Sequence, residues 1–146
     1  MRHTFIMEEG LWVAKGIYFD SNNNRFFLEG SAKFTHGENK WINESYMTLL
    51  TPDKPIELKN DYDIEPFLKG KDHTSWQSFN PDIGKLTGRF MIIEDVIISH
   101  FVSENGAYSG CETLVQESAN LYKNAGYTFK ENDKLSSWSI KLSRIK

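Results

Sequence analysis

Alternation with a period of two, interrupted at short intervals by turn residues, restricts this chain more than any other feature. From Ile56 to Glu65, the residues Ile56, Leu58, Tyr62 and Ile64 occupy one parity, while Glu57, Lys59, Asp61, Asp63 and Glu65 occupy the other. On a helix those charges would wrap the whole circumference; on a strand they line a single face. The C-terminal stretch repeats the pattern, with Trp138, Ile140 and Leu142 on one side and Ser137, Ser139, Lys141 and Ser143 on the other. Both stretches are predicted to be strands with one wet face.

Turn clusters recur about every ten residues, the rhythm of an all-β chain. They fall at Asp20–Asn24, His36–Asn39, Thr51–Pro55, Asn80–Asp82, Ser103–Gly106, Glu117–Asn120 and Glu131–Lys134. Such residues adopt positive φ or bond their own backbone, as hairpin loops require. Further strands are expected near Leu11–Phe19, Arg25–Phe34, Trp41–Leu50, Thr74–Phe79, Lys85–Ile93, Val96–Val102, Ala107–Val115 and Leu121–Lys130. The two runs flanking Glu94-Asp95 also read as one long bulged strand. Short helical turns are expected only at Ile64–Lys69 and Leu114–Tyr122, where no 3.6-residue period is sustained.

Sequential strands on short loops leave two exposed edges unless the sheet closes. The expected fold is therefore all-β: an antiparallel up-and-down closed barrel of about eight to ten strands. A two-layer β-sandwich is the alternative. No linker, repeat or low-complexity segment divides the 146 residues, which read as a single domain, 1–146. A chain of this length buries roughly 70% of its unfolded surface and needs no covalent staple.

Acidic and basic residues number 20 and 17 and are scattered along the chain. Phosphate binding needs a concentrated basic face, so no nucleic-acid partner is expected, and no membrane-surface role for the same reason. The single thiol, Cys111, cannot form an internal disulfide, and the short apolar stretch before Glu8 lacks the form of a secretory leader. The expected setting is cytoplasmic. Aromatic residues make up 14% of the chain, which suits either a generous core or a lined cavity.

Gly10-Leu11-Trp12 opens the first expected strand, and Arg144 shares the parity of Trp138, Ile140 and Leu142 at the end of the last. This resembles the lipocalin and fatty-acid-binding superfamily of calycin barrels. The resemblance implies that the Trp12 indole lies across a closed barrel end with Arg144 packed over it. A cation on an indole face is worth about 0.5 to 2 kcal/mol. Some small cytoplasmic barrels of similar form hold haem through a late-strand histidine, but no histidine follows His100 here. No cofactor is expected.

Histidines at positions 3, 36, 73 and 100 lack the mutual spacing of a metal site, and none is expected. His100 shares parity with Val96, Ile98 and Val102, so it is expected to point with an apolar set. Glu29, Glu44 and Glu112 lie in mid-strand; Glu112 stands out because it shares parity with Tyr108, Gly110 and Leu114. Arg89 could grip a ligand carboxylate with its planar fork. Cys111 lacks the surroundings of a nucleophile. Tyr18, Trp41, Tyr46, Trp76, Tyr108 and Tyr127 are the aromatic candidates for a cavity wall, against the plainer reading of cross-strand packing.

The sequence thus supports a binder of a small apolar or amphipathic molecule, with Tyr18, Trp41, Tyr46, Trp76, Arg89, His100 and Glu112 as ligand-binding residues. One alternative is an isomerase, dehydratase or decarboxylase on the same barrel, using His100, Glu112 or Arg89. Another is a protein-interaction module with a filled barrel, and a homodimer through an outer face is compatible with the sequence.

Overall fold

In the computed structural model, which describes residues 2–145, ten antiparallel strands follow one another and close on themselves. They are β1 (Gly10–Phe19), β2 (Arg25–His36), β3 (Trp41–Leu50), β4 (Ile56–Ile64) and β5 (His73–Asn80), followed by β6 (Gly84–Ile93), β7 (Val96–Ser103), β8 (Tyr108–Ser118), β9 (Leu121–Lys130) and β10 (Asp133–Arg144). Each strand pairs with its sequence neighbours, and β1 joins β10 with Trp12 opposite Arg144 and Tyr18 opposite Trp138. Closure gives every strand two partners, so no strand is an edge strand over its whole length. The sandwich alternative does not form.

The expected helical turns are absent. Leu114–Ser118 completes β8, and the residues after Ile64 run as an irregular connection. Glu94 and Asp95 form a tight two-residue turn between β6 and β7, with Glu94 at φ 52°, rather than a bulge within one strand. One seam is short: β4 and β5 pair only at Tyr62–Ser78, Asp63–Gln77 and Ile64–Trp76.

The N-terminal segment crosses one end of the barrel and seals it. Phe5 and Ile6 are buried there, Phe5 packing edge-on against Trp12 and Phe34 and tilted against Tyr122. Trp12 is fully buried. Arg144 lies 5.9 Å from the centre of its indole ring, donates to Glu8 Oε1 at 2.9 Å and to the Glu9 carbonyl at 2.7 Å. Hydrogen bonds from Arg2 and Arg144 hold the Glu8 carboxyl below its ordinary pKa.

His3 is locked into the same plug. Its Nε2 faces the Glu94 carbonyl at 2.9 Å and must donate to it, which leaves Nδ1 to accept from the Tyr122 hydroxyl at 2.7 Å. The Tyr122 oxygen in turn accepts from the Thr4 and Phe5 amides. These bonds satisfy backbone donors that would otherwise be buried without partners.

Candidate interior ligand site

Strand register fixes which side chains enter the lumen. On β7 the inward set is Ile97, Ser99, Phe101 and Ser103; Ile97, Ser99 and Ser103 are buried and His100 is exposed. The expectation that His100 points inward with Val96, Ile98 and Val102 is therefore corrected. Both faces of β7 carry apolar residues, so apolar content did not mark the inner one, whereas pairing with β6 and β8 does.

Glycines let the large rings lie flat against the wall. Across β5 to β8 the paired row reads Trp76, Gly88, Phe101, Gly110. A Cβ at Gly88 would collide with the Trp76 ring and one at Gly110 with the Phe101 ring. The adjacent row places Gly126 between Glu112 and Trp138, and a Cβ there would strike both. The Trp76, Phe101 and Trp138 rings thus lie over neighbouring glycines along the wall. Trp138 and Tyr62, although inward on mid-barrel strands, are only half-buried, as is Glu112.

Polar anchors hold these rings. Trp76 Nε1 donates to Ser99 Oγ at 3.1 Å, and Trp138 Nε1 donates to Asn124 Oδ1 at 3.1 Å. Asn124 is itself fixed by donating to the Thr113 carbonyl at 3.0 Å. Tyr62 packs edge-on against Trp76 with centroids 5.0 Å apart.

Glu112 projects into this lined space. Removal from water pushes its carboxyl up to about 7, with the Asn124 amide acting in the opposite direction. Burial, then the Glu112 charge and then Asp61, hold the Tyr62 phenol protonated far above its usual range. Asn43, in register with Tyr62, points inward and its buried Oδ1 has no hydrogen-bond partner.

The other expected residues divide between several places. Tyr18 and Trp76 face inward, Tyr18 opposite Trp138 toward the open end. Trp41 sits at the closed end, stacked on the His36 ring at 3.7 Å. Tyr46 is exposed on the outside, where a hydrogen bond with Glu57 raises its pKa. Tyr127 is likewise exposed and Tyr108 lies at the open rim beside Lys130. Glu29 and Glu44 are solvated outer residues.

Arg89 and His100 are paired neighbours on the outer wall, next to Cys111. They line an external groove of about 560 Å³ with Lys40, Asp63, Glu65 and Gln77. Burial, reinforced by Glu112, pushes the Cys111 thiol up, so it stays protonated. The barrel wall separates these groups from the Glu112 side chain. Sequence reasoning did not single out Asn43, Tyr62, Ser99, Asn124 or Trp138 as site residues; polar or amphipathic residues on inward parities are their only signal, and it requires knowing the register.

Closure by ten meandering strands, with an arginine over a tryptophan at the sealed end, gives a barrel of lipocalin-like fold. Among solved structures, the S-type phycobiliprotein lyase CPES from Guillardia theta superposes with a TM-score of 0.67, covering 97% of this chain and 91% of that one at 9% sequence identity. At that identity the likeness speaks to the fold alone. An N-terminal dehydratase from the difficidin assembly line reaches a TM-score of 0.28 over 97% of this chain and 80% of its own, at 9% identity, too low to bear on the argument. No family model and no curated protein matches the chain.

Among the described residues, no three or more histidine, cysteine, aspartate or glutamate side chains converge as metal ligands. Among the described residues, no helix is long and apolar enough to cross a membrane.

Proposed function

We propose that the protein binds a small amphipathic molecule inside the barrel. The observation that carries this reading is the inward group of Trp76, Trp138, Tyr62 and Glu112, with the Trp76 and Trp138 rings laid against Gly88 and Gly126. Apolar faces with a few fixed polar groups are the usual chemistry of a small-ligand pocket. Resemblance to a structure named as a phycobiliprotein lyase is compatible with a ligand-handling barrel. A lone cysteine suits a reducing compartment, so the proposed setting is cytoplasmic.

The particular catalytic trio considered from the sequence has no common pocket. Arg89 and His100 lie outside the wall that Glu112 lines from within, so acid/base chemistry shared among them is not available to one substrate. The binding reading therefore leads.

Native mass spectrometry of freshly purified protein, together with titration of a small aromatic amphiphile followed by Trp76 and Trp138 fluorescence, tests this reading. Saturable binding that shifts the tryptophan emission, and that is lost in Gly126→Leu, is the expected result. A barrel that takes up no amphiphile, with its interior filled by side chains, would overturn it.

A further inference from the structure

The interior carries a carboxylate without a cation to match it. Among the described residues, Glu112 is the only carboxylate on an inward row, and no lysine or arginine falls on those rows between the two ends. Arg144, at the sealed end, is engaged with Trp12 and Glu8. Lys130 and Lys134, at the open rim, lie over Tyr108 and Phe19. On β3, half-way round the ten-strand circuit from β8, Asn43 presents a second buried acceptor with no partner. Between these two walls stand the faces of Trp76, Trp138 and Tyr62.

A buried acceptor gains most from a donor, a buried carboxylate gains more from a charged one, and aromatic faces attract cations in the same way. Resting on the interior-binding reading above, we propose that the ligand is a base: a flat amphiphile carrying a protonated nitrogen that donates to Glu112, its ring system lying against the lumen tryptophans. A ligand whose polar group is a carboxylate would meet a like charge at Glu112.

The titratable groups facing Glu112 from the surrounding elements are few. They are the phenols of Tyr18 on β1, Tyr62 on β4, Tyr108 on β8 and Tyr122 on β9, with His3, His36 and Arg144 confined to the sealed end and Lys130 and Lys134 to the rim. Burial holds the phenols of Tyr62 and Tyr122 above their ordinary range and raises the Glu112 carboxyl to about 7, so the Glu112 charge changes near neutrality. A cationic ligand requires the ionised carboxylate; its affinity therefore rises as pH is raised through 7, and a proton is released on binding.

Three compounds sharing one ring system test this directly: naphthylmethylamine, which is ionised throughout, methylnaphthalene, and naphthylacetate. Calorimetric titration at pH 8 is expected to show the ammonium compound binding roughly ten-fold more tightly than methylnaphthalene, with naphthylacetate weakest. The preference shrinks toward pH 5.5 and vanishes in Glu112→Gln, while methylnaphthalene affinity is retained. In the wild-type protein, titrations in buffers of different ionisation enthalpy read the proton released near pH 7 without relying on a variant.

Equal binding of the ammonium and neutral compounds, a preference that survives in Glu112→Gln, or no proton release would overturn the inference while leaving an interior site standing. Failure of all three compounds to bind would instead remove the interior site, and this inference with it.

Discussion

Glu112 shows how a single side chain acquires properties that its identity does not predict. A carboxyl whose pKa in the fold is raised from its ordinary value to about 7 favours the fold in its protonated form. That contribution is complete below about pH 4.5 and is lost as pH rises through 7. Glu112→Gln, which cannot ionise, should thus match the wild type near pH 5 and exceed it at pH 8.5 by on the order of 2 kcal/mol, measured by urea denaturation at each pH. Tyr122 works differently, since its hydroxyl serves His3 and two backbone amides at once. Tyr122→Phe leaves these groups buried and unsatisfied, and a loss of about 1 to 3 kcal/mol at every pH is expected from the same denaturation experiment.

Among the strands, those with a clean polar face were predictable almost to their ends. β4 is the example: its alternating charges can satisfy only one face of a strand, and Ile56–Ile64 is what forms. The inward side of β7 was not predictable, because Val96, Ile98 and Val102 present apolar groups to the outside as well. The glycines of the wall were equally silent, since their role depends on which ring lies opposite. Gly88→Val illustrates this dependence: the added side chain drives the Trp76 ring from the wall and breaks its bond to Ser99. Overpacking of this kind is expected to cost about 1 to 3 kcal/mol in thermal or chemical denaturation. The displaced indole should also lower amphiphile uptake by occupying the lumen.

For the molecule as a whole, the N-terminal segment and the β1–β10 seam are one structure. Residues 2–9 cover Trp12 and Tyr122, tie Arg144 to Glu8 and bury Phe5 and Ile6. Removing those eight residues exposes apolar surface from at least two large side chains, worth about 3 to 6 kcal/mol. The truncated chain should show a markedly lower melting temperature, with Trp12 emission shifted to the red in the temperature range where it still folds. An unchanged melting temperature would mean that the sealed end adds nothing to closure.

Strand positions and all-β character follow from local pattern, because side-chain alternation and turn chemistry act between residues close in sequence, whereas the Trp12–Arg144 pairing is implied by resemblance to known barrels. The separation of Glu112 from Arg89 and His100, the meeting of Glu112 with Trp138 and Tyr62, and the uncompensated carboxylate of the lumen do not follow from local pattern. They arise from register between strands distant in sequence and from closure of the sheet. A shift of one residue in that register would turn every one of these side chains to the opposite face.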